Sequence, residues 1–148
     1  MAAVTPLLAS DRERWGELWH GYLTFYETEL PQRQYDLTWQ RIMDPDGPIY
    51  ALGTRDAAGV LTGIAHYLFH AHAWTEAESC YLQDLFVDGA YRGRGDATAL
   101  IEGVAAAARE RGCTRLYWTT HTTNATARRL YDRVANNAGF IRYEYPPL

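Results

Sequence analysis

The sequence contains no lysine; all fourteen of its basic residues are arginine. That excludes a nucleotide P-loop, which needs a Gly-Lys-Ser/Thr ending. Arginine suits fixed bidentate phosphate contacts, although a composition bias of the genome also removes lysine. Cysteine is scarce. Cys80 and Cys113 are the two present, too few for a disulfide framework and too isolated for a metal cluster, so a reducing cytoplasm is the expected compartment and no metal is expected. No apolar run reaches the roughly 18 residues of a membrane span. The first residues, Met1 to Pro6, lack a basic stretch followed by a long apolar one, so no signal peptide or membrane association is expected. Excess positive charge is also missing. The net charge is −4, which excludes a strongly basic nucleic-acid binder. Residues 1–75 hold nine acids and five arginines, whereas residues 76–148 hold nine of each, so the acidity lies in the first half.

What is present is one domain's worth of chain. It has 148 residues, 47% of them apolar, with no repeat, low-complexity tract or Pro/Gly/Ser linker. The pattern predicts a short strand over 3–9. Ser10-Asp11 offers an N-cap to a helix carrying Trp15, Leu18, Trp19, Tyr22 and Tyr26, which stops near Leu30-Pro31. A short helix over Leu37 to Met43 follows. Apolar runs at Ile49 to Thr54 and Val60 to Phe69, separated by Asp56-Ala57-Ala58-Gly59, predict a hairpin. Then come a strand over Ser79 to Val87, a helix over Thr98 to Arg111 stopped by Gly112, and a strand over Arg115 to Thr120. A helix over Asn124 to Asn136 and a strand over Phe140 to Tyr145 end the chain. This order indicates a mixed α/β sheet.

The strongest local signal is Leu82 to Ala97, where a strand feeds the turn Arg92-Gly93-Arg94-Gly95 and the turn opens a helix. Glycine lets backbone approach a ligand, and the first turn of a helix offers free N–H groups and partial positive charge to an anion. A dinucleotide fingerprint would place glycine at Thr98, so it does not fit. A tight turn with no ligand remains the plain alternative.

Arg92-x-x-Gly95-x-Ala97 resembles the acyl-CoA pyrophosphate motif of the GNAT acetyltransferase superfamily, Arg/Gln-x-x-Gly-x-Gly/Ala. Asn124-x-x-Ala127-x-x-Leu130-Tyr131, followed by Gly139-Phe140, resembles its next signature at the expected distance. Tyr81 to Val87 and Thr119 to Tyr131 resemble the branch holding spermidine/spermine acetyltransferases and a yeast histone-and-polyamine acetyltransferase. The resemblance implies one GNAT-like domain over 1–148, with a central mixed, mostly antiparallel sheet flanked by helices. It implies a homodimeric enzyme that moves an acetyl group from acetyl-CoA to a primary amine, a small polyamine-like or lysine-like acceptor, by direct attack in a ternary complex. A non-catalytic acyl-CoA sensor on the same fold is the alternative.

For the acyl donor, the resemblance points to Leu85, Phe86 and Val87 on the strand and to Arg92, Gly93, Arg94, Gly95, Ala97 and Thr98 at the turn. Asn124 contacts the pantetheine arm or caps its helix. A bulge near Leu85 to Val87 would free backbone N–H groups for the oxyanion. Asp84 is the candidate base, acting through water, or else it pairs with an arginine. Tyr131 matches the family's acid for the leaving thiolate, but it also fits a core stripe with Ala127, Leu130 and Val134. Tyr26, Glu27 and Glu29 are candidates for binding a cationic amine, or else mark a solvated helix end. Two positions depart from the pattern. Asp96 stands where an aliphatic residue packs under the turn, and Gln83 stands where polyamine enzymes carry glutamate. A carboxylate at 96 would repel the pyrophosphate, whereas one pointing outward would serve as a first-turn helix acid.

Overall fold

The computed structural model describes residues 2–148, which form two compact units, one running to Trp118 and the other spanning Thr119 to Leu148. The first unit holds β1 (Ala3–Pro6), α1 (Arg12–Phe25), α2 (Gln32–Met43), β2 (Tyr50–Arg55), β3 (Leu61–His70), β4 (Ser79–Val87), α3 (Asp96–Glu110) and β5 (Arg115–Tyr117). The second holds α4 (Ala125–Val134).

The sheet has five strands in the order β1-β2-β3-β4-β5. Each neighbouring pair is antiparallel except β4 and β5, which are parallel. This is the mixed, mostly antiparallel sheet that the sequence implied. α1 covers one face with Trp15, Leu18, Trp19 and Leu23, packing on Leu7, Leu61 and Ile64. α3 covers the other, where Leu100 meets Gly63. A side chain at Gly21 would stand 2.7 Å from the Phe86 ring, so glycine there lets α1 lie close on β4.

Several boundaries differ from expectation, each for a local reason. α1 ends at Phe25, not near Leu30. Thr28 N–H bonds Leu23 C=O at 2.9 Å and Glu27 N–H bonds Thr24 C=O at 3.0 Å, the pattern of a left-handed helix stop. Glu27 supplies the left-handed residue at φ 54°, where glycine would normally signal the end. Asp11 does not cap α1 with its side chain. Its carboxylate accepts from Leu8 N–H at 2.7 Å and pairs with Arg55 at 2.6 Å. α2 begins at Gln32, directly after Pro31, five residues before the expected start, and its polar first turn carries no apolar period by which the sequence could mark it.

The strand expected over Phe140 to Tyr145 is absent; the segment has no secondary structure. Its side chains alternate suitably, but among the described residues no strand edge pairs with it, and Phe140, Tyr143 and Tyr145 are 85–92% exposed. β5 likewise stops at Tyr117 rather than Thr120, having paired only with Ser79 to Tyr81.

Candidate functional site

The β3–β4 register breaks once. His66 lies opposite Asp84, and Tyr67 lies opposite Leu82, which leaves Gln83 unpaired and exposed. The extra residue re-aims the strand. Tyr81, opposite Leu68, therefore shares the α1 face with Asp84, although they stand three positions apart. The bulge thus sits at Gln83. The pairing over Leu85 to Val87 is unbroken, which corrects the expectation of a bulge there.

Backbone groups are nevertheless freed at Leu85 and Val87 by another route. β5 accompanies β4 only over Ser79 to Tyr81, so among the described residues no strand pairs with Leu82 to Val87 on that side. Asp88 N–H bonds Thr62 C=O at 2.9 Å, which marks Thr62 and Asp88 as a bonded pair. Bonding alternates along an antiparallel ladder. Phe86 and Asp84 then bond β3, and the N–H and C=O groups of Leu85 and Val87 point to the open side. Val87 C=O there accepts from Arg92 Nε at 3.2 Å.

Beyond β4, Asp88 accepts from Ala90 N–H and pairs with Arg14 at 2.8 Å, fixing a short turn over Gly89–Tyr91. Gly93 and Gly95 follow at φ 80° and 85°, and Gly95 caps α3. A Cβ on either would meet nothing within 4 Å, so backbone conformation, not crowding, demands glycine. The first α3 bond at this end is Ala99 N–H to Gly95 C=O, so the earlier N–H groups, those of Asp96, Ala97 and Thr98, have no helical acceptor. Arg92 lies over the Phe86 ring and Arg94 over the Tyr91 ring. No ion pair joins either arginine to a carboxylate among the described residues. Asp96 points neither at this open turn nor into solvent. It is 5% exposed and accepts from the Thr62 hydroxyl at 2.6 Å, which in turn receives the Thr54 hydroxyl at 2.9 Å.

Asp84 is the centre of a polar cluster beneath α1. His66 Nδ1 lies 3.0 Å from Asp84 Oδ2, and Trp15 Nε1 donates to His66 Nε2 at 3.0 Å. Tyr22 makes a hydrogen bond to Asp84. Burial and then the Asp84 charge push the Tyr22 phenol far up, so it stays a donor. Burial and then Asp84 also raise Tyr26, whose hydroxyl meets that of Tyr22. Tyr81 stacks on Tyr117 of β5 at 4.9 Å, and the Tyr117 hydroxyl meets His70 Nε2 at 2.7 Å. A carboxylate ringed by phenols and aromatic faces can hold an ammonium group and accept its proton.

Tyr26 therefore joins Asp84, whereas Glu27 and Glu29 do not. They line a cleft of about 630 Å³ with His20, Thr24, Thr28, Leu30 and Tyr35. His20 and Thr24 stand on the side of α1 roughly opposite Tyr22 and Tyr26. In the second unit, Asn124 precedes α4 without capping it by its side chain, and its amide donates to Thr120 Oγ1 at 3.4 Å. Tyr131 is half-buried in a stripe with Ala127, Leu130 and Val134. His66 and Trp15 were not legible as site residues. The available signal was one histidine inside the apolar run of β3.

A helix-covered mixed sheet whose fourth strand opens beside a glycine turn is the fold of an acyl-CoA-dependent acyltransferase. The chain belongs to the Acetyltransferase (GNAT) family, whose sequence profile matches residues 14–135. It is 35% identical over 142 residues to the D-amino-acid N-acetyltransferase HPA3 of Saccharomyces cerevisiae, covering 95% of this chain and 88% of that protein. Its fold is similar to that of a ribosomal-protein-alanine N-acetyltransferase from Brucella melitensis biovar Abortus 2308, with a TM-score of 0.77, 23% identity and 98% of each chain covered. It is also similar to AAC(6')-Iy in complex with the bisubstrate analogue CoA-S-monomethyl-acetylneamine, with a TM-score of 0.84, 16% identity and 100% and 99% of the two chains covered. The protein is an acetyltransferase. Among the described residues no helix is long and apolar enough to cross a membrane.

Proposed function

We propose that the protein moves an acetyl group from acetyl-CoA to a primary amine by direct attack in a ternary complex, and that residues 1–148 act as one acetyltransferase domain. The observation that carries this reading is the Asp84 carboxylate, tied to His66 and Tyr22 where β4 loses its β5 neighbour.

The residues at the turn fit the acyl donor. Gly93 and Gly95 leave open space over the N–H groups of Asp96, Ala97 and Thr98, and Arg92 and Arg94 are available to the diphosphate. The outward N–H and C=O groups of Leu85 and Val87, with Phe86 between them, suit the amide-bearing pantetheine arm, and one of these N–H groups serves the thioester oxygen. Family likeness adds Asn124 to the arm. Acetyl-CoA, when bound, supplies an activated thioester carbonyl. An unperturbed alkylamine, with a pKa near ~10.4, arrives protonated at neutral pH. Asp84 takes that proton, directly or through water. Tyr131, on the strength of its motif, gives a proton to the departing sulfur, a role typically worth ~10²–10⁴-fold.

The acceptor is a small primary amine, polyamine-like or lysine-like, held beside Tyr26 and drawn to this half of the chain by the charge of Glu27 and Glu29, which line their own cleft on the other side of α1. The name of the yeast relative favours a second reading, a D-amino acid, whose carboxylate that cleft would repel. A panel of polyamines, lysine peptides and D- and L-amino acids, read by CoA-thiol release and product mass, tests both. Amine-dependent release is expected, and release no faster than hydrolysis with every amine contradicts the proposal. Glu27→Gln with Glu29→Gln should raise KM for a cationic acceptor and leave KM for a D-amino acid unchanged or lower.

The exposed segment carrying Phe140, Ile141, Tyr143 and Tyr145 suits pairing with a second copy, in keeping with a homodimer; light scattering of the purified protein tests it. A cytoplasmic setting fits the two unpaired cysteines and the buried Cys80 thiol, which burial pushes up to about 12.

A further inference from the structure

We infer that His66 is a positioning residue for the base Asp84, and that Trp15 fixes the orientation and tautomer in which His66 works. The inference deepens the reading of Asp84 as the base and rests on it.

An indole N–H can only donate. Trp15 Nε1 lies 3.0 Å from His66 Nε2, so that nitrogen accepts and carries no hydrogen. The hydrogen of the ring is then on Nδ1, which lies 3.0 Å from Asp84 Oδ2 and donates to it. Trp15 is 0% and His66 is 2% exposed, so water does not compete for the bond between them. The rings that pack on His66 are those of Trp15 and Trp19, with centroids 6.0 and 5.0 Å away, and they hold the imidazole plane.

This order has a chemical consequence. With Nε2 occupied by a donor, His66 has no free lone pair and does not itself take the amine proton. Its contribution is one N–H directed at one carboxylate oxygen. Tyr22 supplies a second donor to the same carboxylate. The carboxylate is thereby restrained in rotation. Donors that orient a base in this way act on the chemical step more than on binding. The bulge at Gln83 belongs to the same device, because it begins directly beside the His66–Asp84 pair and puts Tyr81 on the Asp84 face.

The test needs a donor-keeping and a donor-losing variant of comparable size. In His66→Asn the amide nitrogen can fall near the Nδ1 position and still donate to Asp84. In His66→Gln the amide reaches the Nε2 position, so it still accepts from Trp15 but gives up the Asp84 bond. Both variants are first checked for thermal stability and acetyl-CoA affinity. With the best acceptor of the panel, kcat of His66→Gln should fall by about tenfold or more while KM for acetyl-CoA stays put, and His66→Asn should recover most of that loss. Equal kcat in the two variants, or losses that follow melting temperature or acetyl-CoA affinity, would overturn the positioning role. A variant-free measurement accompanies them. Nitrogen-15 NMR of the wild type should show His66 protonated at Nδ1 and bare at Nε2, and the reverse tautomer would also overturn it. Asp84→Asn separates the two layers of the argument. If that variant loses turnover but the His66 pair behave alike, only the positioning role fails. If Asp84→Asn turns over as well as wild type, the base assignment fails and the positioning role with it.

Discussion

Replacing Asp96 by valine tests how the structure accommodates a carboxylate under a phosphate-binding turn. A carboxylate facing the diphosphate would repel it, and its removal would tighten acetyl-CoA binding. Asp96 instead faces inward and ends a chain of hydroxyls from Thr54 through Thr62. Asp96→Val removes a charge-assisted bond worth about 1.5–3 kcal/mol. It also removes a first-turn acid worth about 0.3–1 kcal/mol to α3. Burying the valine side chain returns about 1.5 kcal/mol. The net loss is about 0.3–2.5 kcal/mol, or roughly 1–10 °C in melting temperature at about 2–4 °C per kcal/mol. Scanning calorimetry reads that loss, and titration calorimetry with acetyl-CoA reads affinity. The variant should melt lower and bind acetyl-CoA within about threefold of wild type, a difference under about 0.7 kcal/mol. Asp96→Asn, which keeps an acceptor oxygen for Thr62, should fall between. A higher melting temperature, or a tenfold gain in affinity, would refute the inward role.

Further outcomes follow from the same geometry. Gly95→Ala places a side chain at φ 85°, costing about 1–2 kcal/mol of stability, and sets a methyl in the open space over the α3 amides, so titration calorimetry should show weaker acetyl-CoA binding. Tyr131→Phe should lower kcat more than it weakens acetyl-CoA binding; a change confined to KM would return Tyr131 to a packing role. The hydrogen bond and charge of Arg55 hold the Asp11 carboxyl below its usual range. A depressed carboxyl pKa stabilises fully above the unfolded value near ~3.9 and is lost as pH falls through the folded value below it. Urea midpoints measured down the acid limb should therefore fall steeply below about pH 4 in wild type and less steeply in Arg55→Gln.

What could be read from the chain, and what could not, divides by sequence distance. The glycine turn was legible because left-handed backbone at Gly93 and Gly95 and free amides at a helix start are local consequences of local residues. The antiparallel hairpin of β2 and β3 was legible for the same reason. The stop of α1 was not, because Glu27 adopts a conformation that glycine normally advertises. The bulge at Gln83 depends on register against β3, which no residue in β4 announces. His66 gained its meaning from Trp15, 51 residues earlier, and from Asp84, 18 residues later. The segment from Phe140 to Tyr145 has a strand's alternation, but a strand also requires an edge to pair with, and alternation does not supply one.

The measurement that bears most directly on the account is steady-state CoA-thiol release by wild type and Asp84→Asn at saturating acetyl-CoA with the preferred amine. The substitution keeps the size of the side chain and its bonding to Tyr22 while removing the base. Loss of kcat by about 10²–10⁴-fold, with acetyl-CoA affinity unchanged, is the predicted result. Turnover within about twofold of wild type would contradict the assignment of acetyl transfer to the carboxylate at the opening of β4, since a base worth the usual factor cannot be removed at so small a cost.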